Sequence, residues 1–168
     1  MRLDDFPGTD PIYVDASIFI YTLLQHPRFL APCQRFLEKV ERGAVHALTS
    51  PLVLDEVAYK IIVERLKAIL QQSLAPLVLE RIKQDPALLA HVKPELELFL
   101  WVVRHYRGLR IVSVPARSGS QLAAVILEER LLPRDALHVL VMRAKRVHHI
   151  ATNDPDFERV AGIQVWRP

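Results

Sequence analysis

Five short apolar segments, each separated from the next by helical periodicity or a helical turn, constrain this 168-residue chain more than any other feature. PIYV (11–14), AVHALT (44–49), LRIVSV (109–114), VHHIAT (147–152) and IQVW (163–166) are too short for helices and rich in β-branched residues, so they read as buried strands. Between them the spacing predicts helices over 17–25, 32–42 and 51–72. A helical region over 74–107 is broken at Pro76, Pro86 and Pro94, and further helices cover 118–130 and 133–145. Pro155 to Val160 reads as a helical turn. His26-Pro27 and Gly43 stop the first two helices, and Ser50-Pro51 starts the third with proline at its first position. Strands alternating with helices predict an α/β fold, a three-layer α/β/α sandwich around a mostly parallel sheet of about five strands. Without repeats, low-complexity tracts or an evident linker, residues 1–168 read as a single domain, with 1–10 expected to be a flexible N-terminal segment.

In an open parallel sheet, ligands bind in the crevice beyond the carboxyl ends of the strands. The residues at those ends are therefore the informative ones: Asp15-Ala16-Ser17 after the first strand, Asp55-Glu56 after the second, and Asn153-Asp154 after the fourth. Asp135 opens the helix that leads into the fourth strand. Acids thus collect on one side of the sheet with few bases. Several carboxylates in one crevice repel, and a fold relieves that by protonation or by a cation. Oxygen donors without a thiolate suit a hard ion, Mg²⁺ or Mn²⁺.

Each acid also has a bland reading. Asp15 and Asp154 stand where helix N-caps stand, and Asp135 lies in a first turn where the helix dipole favours negative charge. Glu56 precedes Lys60 by four residues, the favoured orientation for a helical ion pair. Asp55 points about 100° away along the helix, toward the apolar side, and is the odder residue by periodicity. Asp156 reads as exposed. The unusual fact is their joint location at one end of one sheet.

Composition removes other classes. The single cysteine, Cys33, excludes an intramolecular disulfide and a cysteine-based zinc cluster, and fits a reducing compartment. The opening residues lack the charge and apolar pattern of a signal peptide, and no apolar run is long enough to span a bilayer, so a cytoplasmic protein without membrane contact is expected. No glycine-rich GK[ST] motif occurs, which excludes a P-loop enzyme. The net charge is +3. Between 104 and 146, Arg104, Arg107, Arg110, Arg117, Arg130, Arg134, Arg143, Lys145 and Arg146 face only Glu128, Glu129 and Asp135, which permits an anionic partner.

Four segments, YVDASIFIY (13–21), LTSPLVLDEV (48–57), LPRDALHVLVMRA (132–144) and IATNDPDF (150–157), resemble in order and spacing the PIN-domain nucleases, and within them the VapC-like toxins of prokaryotic toxin–antitoxin pairs. On that resemblance the family's four acids fall on Asp15, Glu56, Asp135 and Asp154. Ser17 and Thr152 fall on the hydroxyl positions that orient carboxylates. The chain departs from the pattern in a longer, proline-broken middle, about 60 to 110, and in the extra acids Asp156 and Asp55. The resemblance implies a Mg²⁺- or Mn²⁺-dependent endoribonuclease that cleaves RNA. It also implies a homodimer and a short antitoxin whose tail occupies the acidic crevice. Asp15, Asp135 and Asp154 would then bind metal, and Glu56 would bind metal or orient the attacking water. Arg134 and Arg143 are expected at RNA phosphates. His138, one turn beyond Asp135, reads as a packed or carboxylate-orienting residue, because hard ions prefer oxygen. The apolar helical stretches Ile61 to Leu70 and Leu96 to Val103 offer a subunit interface, although core packing is the commoner use of such stripes. The competing readings are a non-catalytic interaction module on the same fold and a DNA nuclease of the same superfamily. A haloacid-dehalogenase-type phosphohydrolase is disfavoured, because Ser17 stands where that class needs a second Asp.

Overall fold

A computed structural model describes residues 1–168. Five strands, β1 (Ile12–Val14), β2 (Ala47–Thr49), β3 (Leu109–Ile111), β4 (His149–Ala151) and β5 (Gln164–Trp166), form one sheet in the order β3-β2-β1-β4-β5. Every neighbouring pair is parallel. Each strand is three residues long, shorter at one or both ends than its apolar segment suggests, because the flanking residues turn into loops once the ladder ends.

Seven helices connect the strands: α1 (Ala16–Leu23), α2 (Leu30–Glu41), α3 (Pro51–Leu70), α4 (Ala75–Gln84), α5 (Lys93–His105), α6 (Ser118–Glu129) and α7 (Pro133–Lys145). The chain moves outward from β1 through β2 to β3, then crosses back to β4 and on to β5. Right-handed crossovers in opposite directions place their helices on opposite faces of the sheet. Helices α1–α5 therefore cover one face and the α6–α7 pair the other, which is the three-layer sandwich. The reversal between β1 and β4 is the topological switch point, where a crevice opens beyond the strand ends.

The central strand β1 is buried along its whole length, and 34 buried residues form one core around it. The prolines shape the middle insert. Pro76 sits in the first turn of α4, whereas Pro86 begins a 3-10 segment, Pro86–Val92, that separates α4 from α5. This insert covers a small cluster of its own, Leu66, Val78 and Val92, apart from the main core. Ile61, Leu66, Phe99 and Val102 are buried, so the apolar stripes of α3 and α5 serve packing first. No helix is long and apolar enough to cross a membrane.

The N-terminus differs from expectation. Leu3 and Phe6 are buried, the Met1 ammonium donates to the Val165 carbonyl, and Leu3 and Met1 exchange backbone hydrogen bonds with Arg167. Residues 1–6 are thus pinned against the last strand, because the apolar pair Leu3 and Phe6 gains a place in the core beside Phe36 and Trp166.

Candidate metal centre

The crevice at the switch point has a volume of about 370 Å³ and is lined by Asp15, Ser17, Ile20, Tyr21, Glu56, Lys60, Asn153, Asp154 and Pro155. Lys60 is the one cation in that lining. Asp15 leaves the end of β1, where its amide is held by the Ala151 carbonyl of β4. Its side chain caps α1 and is buried. One carboxylate oxygen, Oδ2, accepts from the Thr152 hydroxyl at 2.7 Å, the Ser17 hydroxyl at 2.8 Å and the Ser17 amide at 3.4 Å. The other oxygen, Oδ1, has no partner in the protein and remains available to a ligand. Capping and ligation are therefore not alternatives for Asp15, since one oxygen does each.

Thr152 and Ser17 also organise the loop after β4. The Asp154 amide donates to Thr152 Oγ1 and the Asn153 amide donates to Ser17 Oγ. Asp154 in turn accepts from the Asp156 amide through Oδ1, and so starts the 3-10 turn Pro155–Arg159. Both hydroxyls thus donate to Asp15, and Thr152 also accepts from the backbone amide of Asp154.

Glu56 stands on the second turn of α3 and is half-buried. Its Oε2 faces His138 Nε2 at 3.9 Å. The His138 ring, with Arg134 and Lys60 farther off, holds the Glu56 carboxyl below its ordinary range against the opposing effect of burial. His138 is buried, and its Nδ1 lies 2.8 Å from the Tyr13 hydroxyl, which is itself 2.6 Å from Ser50 Oγ. Burial keeps the Tyr13 hydroxyl protonated well above its usual range. When Tyr13 donates to Nδ1, the neutral imidazole carries its own proton on Nε2, aimed at Glu56. Ligand-type atoms of Asp15, Glu56 and His138 lie within 4.8 Å of one another, and with a proton on Nε2 and Tyr13 on Nδ1 of His138, the carboxylates of Asp15 and Glu56 are the two left to an ion.

The four acids are not equally placed. Asp15 and Glu56 are adjacent, and Asp154 joins them in the crevice wall. Asp135, in the first turn of α7, is outside that lining. Its electrostatics still tie it to the group. Burial, then the negative charges of Asp154, Asp15 and Asp156, push its carboxyl up to about 6, with His138 opposing. Asp55 is exposed and pairs with Arg134 at 3.2 Å, which puts it on the outer side of α3 and out of the cluster. Asp156 pairs with Arg159 beside the crevice.

Two residues expected at RNA are paired with acids outside the crevice lining. Arg134 is engaged by Asp55, and Arg143 pairs with Glu129 in a separate groove between α6 and α7. Eight residues along one helix amount to about 12 Å, so Arg143 sits too far down α7 from Asp135 to share a phosphate with it. Lys60, Tyr21 and Asn153 line the crevice; Asn153 stands with Asp154 after the fourth strand, as read from sequence, whereas Lys60 reads from sequence only as a partner of Glu56. Lys60 was visible as the i+4 partner of Glu56, and that spacing puts both on one side of α3.

Fold and site define a class of protein, a parallel α/β domain that gathers its acids at the switch point. A family model of the PIN domain matches residues 12–163, and the chain belongs to that family. Among solved structures, VapBC2 from Rickettsia felis bound to a DNA fragment from their promoter has a TM-score of 0.56 at 17% identity, over 94% of this chain and 98% of that one. DNA-bound VapBC from Salmonella typhimurium is similar, with a TM-score of 0.56 at 16% identity over 95% and 98% of the two chains. PAE2754 from Pyrobaculum aerophilum has a TM-score of 0.51 at 14% identity over 93% and 90%. At these identities the likeness is one of fold. No curated protein sequence matches significantly.

Proposed function

We propose that this PIN-domain protein is a metal-dependent endoribonuclease, the toxin of a toxin–antitoxin pair. The observation that carries the proposal is Asp15. Two hydroxyls and an amide hold one of its carboxylate oxygens while the other is left open beside Glu56 and Asp154. The donor set is oxygen-rich and over-supplied with negative charge, as the raised Asp135 carboxyl records, and this fits a hard divalent cation. Asp15, Glu56, Asp135 and Asp154 would hold Mg²⁺ or Mn²⁺. When bound, the ion supplies neutralisation of the phosphate oxygens and acidification of a water molecule.

The remaining work falls to the chain. Asp15 keeps its orientation through Thr152 and Ser17, and Thr152 also holds the Asp154 amide. Glu56, kept ionised, is placed to accept a proton from a water between it and the phosphate. His138 lies behind Glu56, and Lys60, the one cation in the crevice lining, would leave its exposed pair with Glu64 to meet a phosphate. The VapBC structures support an antitoxin partner. A homodimer and a cytoplasmic setting complete the reading by the same analogy.

Cleavage of single-stranded RNA in magnesium, against the same sequence as DNA, tests the reaction. The expected result is RNA cleavage that EDTA stops and Asp15→Asn abolishes. Equal cleavage by Asp15→Asn overturns the assignment, and preference for the DNA strand replaces ribonuclease with deoxyribonuclease. Metal binding is read separately by calorimetric titration with Mn²⁺, wild type against Asp135→Asn.

A further inference from the structure

The loop after α1 carries a group of aromatic rings that the acid chemistry does not use. Tyr21, His26 and Phe29 are mutually packed, with ring centroids 4.7 Å apart for Tyr21–His26, 4.9 Å for Tyr21–Phe29 and 4.8 Å for His26–Phe29. Tyr21 and His26 line a hollow of about 380 Å³ with Ile20, Leu24, Pro27, Lys60 and Glu64, and Glu64 pairs with Lys60 at 3.3 Å. Ile20, Tyr21 and Lys60 also line the acidic crevice, so the two spaces adjoin.

The rings are held rather than loose. His26 Nδ1 accepts the amides of Arg28 and Phe29 at 3.2 and 3.3 Å. A neutral imidazole that accepts at Nδ1 carries its proton on Nε2, which leaves a fixed donor. The Tyr21 hydroxyl accepts from Asn153 Nδ2 at 3.0 Å, and this leaves its own proton to give. The Arg28 guanidinium lies 5.1 Å from the Phe29 ring centre.

We infer that this hollow is a nucleobase subsite: Tyr21 and His26 stack or edge-bind the base of a nucleotide next to the scissile phosphate, while Lys60 holds the phosphate between the two spaces. The inference rests on the ribonuclease reading and adds where the strand runs. Single-stranded RNA is read by aromatic stacking and by donors to splayed bases, the two features joined here. A mere packing cluster has no need of a polar rim or of a place adjoining the acids.

The test is binding by fluorescence anisotropy, with calcium in place of magnesium to hold off cleavage. The probes are a labelled eight-nucleotide oligoadenylate and the same ribose-phosphate backbone without bases. Wild type is expected to prefer the base-bearing strand by about tenfold, the usual scale of one or two stacked bases. His26→Asn keeps an acceptor for the two amides and removes the ring. Tyr21→Leu keeps bulk and removes the ring. Both are expected to reduce the preference toward one while leaving affinity for the bare backbone, a change that a general loss of structure does not produce. Variants that keep the preference, or a wild type that cleaves RNA yet has none, overturn the subsite alone. A wild type that binds neither strand and cleaves no RNA overturns the subsite together with the ribonuclease reading.

Discussion

Replacing Asp135 with asparagine is expected to make the metal-free protein more stable at neutral pH, and less able to be stabilised by metal. Asp135 has its carboxyl raised from 3.8 to about 6, first by burial and then by Asp154, Asp15 and Asp156. A carboxyl harder to ionise in the folded protein than in the unfolded chain costs nothing while both states are protonated. The cost grows as pH rises from about 4 to about 6 and is constant above that. A rise of about two pH units corresponds to about 3 kcal/mol at full strength. Asp135 is only half-buried, and water at the rim of the crevice screens the repulsion, so about 1–2 kcal/mol is expected. Urea unfolding in EDTA should therefore place Asp135→Asn above wild type by about 1–2 kcal/mol at pH 7.5 and level with it near pH 4. In a thermal scan the gain is about 2–6 °C for a chain of this size. Saturating Mn²⁺ should close or invert the gap, since only the intact acid set gains fully from mass action. If the variant matches or falls below wild type at pH 7.5 in EDTA, the acids do not repel, and the electrostatic case for a cation fails.

Thr152→Val keeps shape and removes the hydroxyl that holds Asp15 and the Asp154 amide. Mn²⁺ affinity should fall about 10–100-fold by calorimetry, as loss of a residue that orients a ligand commonly does. Tyr13→Phe strands Ser50 and His138 Nδ1 in the core, and chemical denaturation should record a loss of about 1–3 kcal/mol. Gly108 admits no side chain, because an added Cβ would meet the Val45 carbonyl oxygen at 2.2 Å and that of Val40 at 2.6 Å. Gly108→Ala should cost about 2–4 kcal/mol in the same assay, since backbone rather than a side chain must yield.

What sequence could reveal here followed from position along the strands. Asp15, Glu56 and Asp154 stand just beyond strand ends, and a parallel sheet carries such residues to one edge whatever the exact strand lengths. Asp135 was legible from its helix start, but its place outside the crevice lining depends on how α7 docks, which periodicity does not report. The His138–Tyr13–Ser50 chain was illegible for a related reason. His138 and Tyr13 are 125 residues apart, and β1 is buried on both faces, so Tyr13 looked like any other core aromatic. The pairing of Arg143 with Glu129 was not legible, because a basic run in sequence says nothing of local partners on the neighbouring helix. Tyr21 is a candidate for base stacking from sequence alone, but its partners His26 and Phe29 were overlooked because they come from a turn and a helix start, where no period applies.

Helix α3 joins two places that have little else in common. It is a single rod of 20 residues, about 30 Å long, with Glu56 in its second turn, Lys60 at its middle and Leu66 near its end beneath the insert. The insert packs on the rod by setting Val78 and Val92 against Leu66, while the sheet sets the crevice. One helix is thus shared property of two cores, and whatever length or tilt the proline-broken segment imposes on it is also the length and tilt from which Glu56 projects.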